Sequence, residues 1–97
     1  MTMDAGEAGV SRSVMIINQR GLHARASAKF VQTVSRFNAQ VEVSKDGVTV
    51  GGTSIMGLMM LAASPGCSID ISASGTDAAA VVDALVELIG NRFGEEI

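Results

Sequence analysis

The chain has one histidine, and the residues around it decide what that imidazole can do. It lies in Gly21-Leu22-His23-Ala24-Arg25-Ala26-Ser27, after a glycine turn and before a helical pattern carried by Ala24, Ala26, Ser27, Phe30, Val31 and Val34. His23 is therefore expected at or beside the N-cap of a helix. The first N–H groups of a helix have no intrahelical acceptor and point out of its end. The aligned peptide dipoles add partial positive charge at the same place, so an anion such as phosphate is well received there. Arg25, two residues on, brings a fixed cation whose forked donors suit phosphate oxygens. An unperturbed imidazole titrates near about 6.5 and keeps a free nitrogen for in-line attack at neutral pH. Phosphoryl transfer asks mainly for positioning and charge stabilisation. The pattern thus points to a histidine that carries a phosphoryl group on a surface site without a metal cage. The plainer alternatives are a histidine that only caps a helix and an arginine that is only a solvated charge.

Other reactive residues carry weaker signals. Ser54 precedes the apolar run Ile55 to Leu61 and reads as an N-cap, a role worth about 1 kcal/mol. Cys67 beside His23 would make a thiol nucleophile, but two residues are a thin constellation. It reads better as a small residue at the start of a strand. One histidine and one cysteine do not fill a tetrahedral metal site, so no metal and no cofactor are expected. Gly51-Gly52-Thr53-Ser54 lacks the lysine of a phosphate loop.

The elements that must position His23 follow from periodicity. A strand is expected over 11–17, with Val14 and Ile16 on one side, then a turn-rich loop, Asn18 to Gly21. The first helix is expected over 24–37, where Phe30, Val31, Val34 and Phe37 give one buried face, with Asn38 helping to end it. Strands over 41–45 and 48–50 flank Asp46-Gly47, a type I′ signal that sets Val43 opposite Val50 and Lys45 opposite Val48. A short helix, 55–62, is apolar nearly all round. About half of its side chains should enter the core, and the rest should form an exposed, methionine-rich patch beside His23. Pro65-Gly66 turns the chain. The stretch 67–73 alternates Ile69, Ile71 and Ala73 against Ser68, Asp70 and Ser72. Thr76 is expected to cap a last helix over 77–91, with Val81, Val82, Leu85, Leu88 and Ile89 inward. Residues 94–97 are expected to fray. Long helices alternating with half-polar strands imply helices on one face of a sheet and water on the other. Pattern alone also permits a ferredoxin-like arrangement.

Composition narrows the class. The 97 residues make one domain, 11–97, behind a small, acidic, flexible tail, 1–10. Net charge is −3, with three Phe and no Trp or Tyr, which argues against nucleic acid and against a small RNA-binding domain. No run approaches the roughly 20 apolar residues that span a bilayer. The first nine residues lack the features of a signal peptide, and a single cysteine suits a reducing compartment, so a cytoplasmic protein is expected.

Two stretches together resemble a known family. Gly21 to Ser27 resembles the active-site segment of the histidine-containing phosphocarriers (HPr) of the bacterial phosphotransferase system. Ser54-Ile55-Met56-Gly57-Leu58-Met59 resembles the segment around that family's regulatory serine. They lie about thirty residues apart, as in the family, and the likeness covers roughly residues 12 to 90. Ala26 departs from it, standing where many relatives carry proline. Alanine is a good helix former, so the departure bears only on the stiffness of the first turn. The resemblance implies an α+β, open-faced β-sandwich: a four-stranded antiparallel sheet with three helices on one face, in the order βαββαβα. It implies that His23 Nδ1 accepts a phosphoryl group from enzyme I, ultimately from phosphoenolpyruvate, and passes it to a IIA-type protein. Arg25 would stabilise the phosphate, and Ser54 would be the target of an HPr kinase/phosphorylase. Ala24, Ala28, Met56, Gly57 and Met59 would line the docking face. Such a protein is a stoichiometric relay rather than a stand-alone enzyme, and a monomer is expected. The alternative is a regulatory binding module, whose phosphorylation state controls complex formation without onward transfer.

Overall fold

The computed structural model describes residues 9–96. Four strands, β1 (Val10–Met15), β2 (Gln40–Lys45), β3 (Val48–Gly51) and β4 (Ser68–Ser74), form one sheet in the order β1-β4-β2-β3. Every pairing is antiparallel. Three helices, α1 (Ala24–Val34), α2 (Ile55–Met60) and α3 (Ala78–Gly90), complete the order βαββαβα. Of the two arrangements that the pattern permits, this is the open-faced sandwich.

The alternation in β4 is the clearest link from sequence to packing. Ile69, Ile71 and Ala73 are buried while Ser68, Asp70 and Ser72 face solvent. Val41 and Val43 of β2 bury on the same side, and Phe30, Leu58, Val81, Val82, Leu85 and Ile89 cover them from the helices. The hairpin has the expected register, Val43 opposite Val50 and Lys45 opposite Val48. Asp46 and Gly47 both take positive φ, 52° and 83°, as a type I′ turn demands.

Several boundaries differ from the sequence reading, each for a local reason. β1 begins at Val10, inside the stretch read as a tail, because Val10 pairs with Ala73; residues 1–8 of that tail lie outside the described residues. The strand ends before Ile16, whose side chain is wholly buried. α1 stops at Val34 instead of Phe37. Arg36 N–H and Phe37 N–H reach back only three residues, to Thr33 O at 3.2 Å and Val34 O at 3.1 Å, so the chain winds tighter there. Phe37 still packs against the core. α2 ends at Met60 in the same way, and Ala62 at φ 55° turns the chain left-handed. Strand β4 is shifted by one residue and includes Ser74.

Thr76 does not cap α3. The N-cap is Asp77, and neither side chain serves the helix end. Asn38 engages both: its backbone N–H donates to Asp77 Oδ2 at 2.7 Å, and its amide donates to Thr76 Oγ1 at 3.1 Å. Asn38 thus fastens the α1–β2 connection to the start of α3, beyond the end of α1.

The largest departure is at the C-terminus. Gly94 and Glu95 are not frayed: their N–H groups donate to Asn91 O at 2.9 Å and Arg92 O at 2.8 Å. Arg92–Gly94 forms a tight turn in which all three residues have positive φ, 55°, 55° and 79°. Phe93 is buried in the core, and Lys29 Nζ donates to its carbonyl at 2.6 Å. Ile97 lies outside the described residues.

Candidate functional site

Gly21 sets the approach to the site. It takes φ +64°, and a Cβ there would lie 2.3 Å from Ala63 O. Only glycine accepts both the left-handed backbone and that close approach. Leu22 N–H then donates to Ala63 O at 3.0 Å, and Leu22 is buried. The loop is thereby pinned, and the next residue is set at the head of α1.

His23 is the N-cap of α1, with extended backbone and no capping bond from its side chain. Its carbonyl accepts the first helical hydrogen bond, from Ser27 N–H at 2.8 Å. The N–H groups of Ala24, Arg25 and Ala26 have no acceptor among the described residues, as the first turn of a helix dictates. Arg25 occupies the second helical position, is exposed, and forms no ion pair with a described residue. A cluster of unpaired backbone donors therefore lies at the helix end that His23 caps, and Arg25 stands in the same first turn.

The ring is more enclosed than a surface histidine, its side chain only 18% exposed. Nε2 lies 2.5 Å from Glu95 Oε2. Glu95 Oε1 accepts from Asn18 Nδ2 at 3.1 Å, and the same amide donates to Gly21 O at 2.9 Å. Asn18 is completely buried, and its Oδ1 has no partner among the described residues. Nδ1 of His23 makes no hydrogen bond within them. Burial pushes the Glu95 carboxyl up, but hydrogen bonds from His23 and Asn18, helped by the charges of His23 and Arg20, outweigh it and hold the group below its ordinary value. Asn18 and Glu95 escaped the sequence reading. The one available signal was Phe93, a large apolar residue in a segment otherwise polar.

Ser54 caps α2, its hydroxyl accepting from Gly57 N–H at 2.9 Å, and it is exposed. Of the apolar run that follows, only Leu58 and Leu61 are buried; Ile55, Met56, Met59 and Met60 are exposed, Met56 at 71% and Met60 at 75%. More of the helix faces solvent than the expected half. α1 packs against α2, so exposed Ala24 and half-buried Ala28 belong to the element next to these methionines. Gly57 has an internal reason to be small, since a Cβ would lie 2.9 Å from Ser54 Oγ and 3.0 Å from Val50 Cβ. Cys67 is half-buried, and its thiol is held low chiefly by the Ser64 hydroxyl. It shares no hydrogen bond with His23. Among the described residues no three His, Cys, Asp or Glu side chains gather as metal ligands, and no helix is long and apolar enough to cross a membrane.

Comparison with known proteins agrees with this geometry. Residues 10–91 match the family described as PTS HPr component phosphorylation site. The chain is 51% identical over 86 residues to phosphocarrier protein HPr of Neisseria meningitidis serogroup A, covering 89% of this chain and 97% of the relative. It is 49% identical over 86 residues to phosphocarrier protein HPr of Cupriavidus necator, with the same coverage, 89% and 97%. The crystal structure of HPr-C-His from Thermoanaerobacter tengcongensis superposes with a TM-score of 0.86 at 45% identity, covering 91% of this chain and 99% of that one. A helix-capping histidine, a βαββαβα sandwich and half-identity along nearly the whole length place this chain in the HPr family, the histidine-containing phosphocarriers of the phosphotransferase system.

Proposed function

We propose that His23 is the residue that carries the phosphoryl group, taking it on Nδ1 from the phosphohistidine of enzyme I and giving it to a histidine of a IIA-type protein. The observation that carries this reading is the division of labour on the ring. Nε2 is engaged by Glu95, and Nδ1 is left as the nucleophile beside the unpaired amides of Ala24, Arg25 and Ala26. Those amides and the helix dipole favour the incoming dianion, and Arg25 neutralises charge that develops on the equatorial oxygens. A site of exposed donors without a metal holds phosphate loosely enough to release it. The relay works in the cytoplasm, on a monomer. Ala24, Ala28, Met56, Gly57 and Met59 form the face where enzyme I and the IIA acceptors meet the ring. Flexible methionines suit a surface used by several partners.

Ser54 is the proposed target of an ATP-dependent HPr kinase/phosphorylase. Phosphate at the N-terminus of a helix need not unfold it. It would set roughly two negative charges in the docking face and repel acidic partners.

Incubation with enzyme I and phosphoenolpyruvate should label the protein with acid-labile phosphate, and His23→Ala should abolish the label. Persistent labelling of that variant refutes the assignment. Arg25→Lys should slow transfer with the fold intact, and unchanged rates in Arg25→Ala would show that the arginine takes no part. Mass-spectrometric mapping after incubation with the kinase and ATP tests Ser54; phosphate elsewhere or nowhere refutes its role. Turnover to a IIA-type acceptor separates a carrier from a module that only forms complexes.

A further inference from the structure

Four of the six methionines, Met15, Met56, Met59 and Met60, lie among the described residues, and none of these four enters the core. Three of them sit on α2, within positions 56–60. At about 100° per residue, Ile55, Met59, Met56 and Met60 occupy one arc of about 140°, on the side away from buried Leu58 and Leu61. Met56 is 71% exposed and Met60 75%, against 41% for Met59. α2 carries no charged side chain, so this face offers solvent only thioether and hydrocarbon. What holds the helix lies elsewhere. The Ser54 hydroxyl caps it through Gly57 N–H at 2.9 Å, and Leu58 and Leu61 anchor it in the core. The exposed sulfurs can therefore change chemically without undoing the fold. Met15 supplies the contrast. It is 53% exposed, but it pairs with Ser68 and so stands on the open face of the sheet, away from the helices.

We propose that Met56 and Met60 are oxidation sites, and that their conversion to sulfoxides by a peroxide reversibly weakens docking of enzyme I. The proposal rests on the reading of α2 as part of the docking face. In the step, a sulfur lone pair attacks one peroxide oxygen. The S–O bond forms, the O–O bond breaks, and the departing hydroxide takes up the proton of the transferred oxygen to leave as water. Sulfur gives up two electrons, and the peroxide accepts them. A thiol-dependent sulfoxide reductase reverses the change: the oxygen leaves as water while two thiols become a disulfide.

Oxidation replaces a flexible apolar side chain by a polar one. A docking partner must then strip water from the S=O dipole, which costs binding wherever no donor meets it. His23 and the amides at the head of α1 are chemically unaltered, so the ring keeps its competence while partners reach it less often. Cys67 is the competing sulfur. It is half-buried, with Ser64 Oγ 3.5 Å from its Sγ.

The test treats the whole protein with hydrogen peroxide and locates each added oxygen by mass spectrometry. Met56 and Met60 should be modified before Met59, and the treatment is stopped there. After the peroxide is removed, initial rates of labelling by enzyme I and phosphoenolpyruvate are measured below saturation, each protein against its own untreated rate. Wild type should slow about tenfold, equivalent to about 1.4 kcal/mol of docking, with its circular dichroism spectrum unchanged. Met56→Leu/Met60→Leu should slow by less than about twofold, whereas Met15→Leu should slow as wild type does. Methionine sulfoxide reductases A and B with dithiothreitol should restore the wild-type rate. Dithiothreitol alone, which reduces a sulfenic acid at Cys67 but no sulfoxide, should not. Oxygen going first to Met59, an unchanged rate in oxidised wild type, an equal loss in the double-leucine variant, or a loss that accompanies unfolding overturns the proposal and leaves His23 as the carrier. Should the double variant fail to fold, the reductase arm decides, and no recovery overturns the proposal. Absence of label at His23 in untreated wild type overturns the carrier reading and the proposal with it.

Discussion

Truncating Phe93 to alanine should loosen the last turn of the chain from the body of the protein, and the size of the loss is bounded from two sides. Phe93 is 1% exposed. Phe→Ala inside a core costs about 3–5 kcal/mol when the surroundings cannot collapse. A terminal segment has another way out: residues 92–96 can detach and leave no cavity, which caps the cost at the free energy by which the segment docks. That free energy has a gain of about 1.5–3 kcal/mol from burying the ring and a further contribution from the Lys29 bond to Phe93 O at 2.6 Å. Against it stands a left-handed backbone at Arg92 and Phe93, costing about 1–2 kcal/mol per residue. With about 1.5–3 kcal/mol for that charged hydrogen bond, the net expectation is a loss of about 1–2 kcal/mol. At about 4–8 °C per kcal/mol for a domain of this size, Tm should fall by about 4–16 °C. Thermal denaturation followed by circular dichroism measures it. A fall of less than about 4 °C, under roughly 1 kcal/mol, would mean that the segment is not docked by Phe93, and the reasoning would fail.

Three further outcomes follow from single contacts. Gly21→Ala should destabilise by about 2–4 kcal/mol, because φ +64° and a Cβ at 2.3 Å from Ala63 O oppose any side chain; a Tm within 3 °C of wild type refutes this. Ser54→Ala loses the bond from Gly57 N–H at 2.9 Å and should cost about 1 kcal/mol, read as a lower urea midpoint at constant m; an unchanged midpoint would show the cap to be idle. The folded Glu95 carboxyl is held below its ordinary value, so its contribution is complete above the unfolded carboxylate pKa of about 4.3 and is lost as pH falls through the lower folded value. The stability gap between wild type and Glu95→Gln should therefore narrow as pH is taken from about 6 to about 3; a gap that widens on acidification has the wrong sign and sinks the account.

What the sequence disclosed, and what it did not, divides by range. Strand β4 and the β2–β3 hairpin were legible because their signals are local: a period of two over Ile69, Ile71 and Ala73, and Asp46-Gly47 for a positive-φ turn. The first half of the site is local too, since the spacing from Gly21 to Ser27 places His23 at a helix end. Helix ends were misplaced where the chain tightens to three-residue hydrogen bonds, as after Val34 and Met60, a change that side-chain periodicity does not register. Thr76 looked like a cap because its type fits; its hydroxyl is instead engaged by Asn38, 38 residues away. Glu95 was out of reach for the same reason, bonded to a residue 72 positions earlier. The packing of α3 against β1, β4 and α1, with Phe93 buried and Lys29 bonded to its carbonyl, carries the C-terminal turn back to the loop at Asn18.

That arrangement ties two properties together. The amides that receive the phosphate belong to α1 and form with it, whereas the carboxylate that sets the ring arrives on a strained turn kept in place largely by one aromatic side chain. Phe93→Ala should therefore slow phosphorylation of His23 by enzyme I and phosphoenolpyruvate, because the carboxylate that holds Nε2 leaves with the turn. A variant that loses the expected stability but keeps the wild-type rate would show that the ring is set from α1 alone.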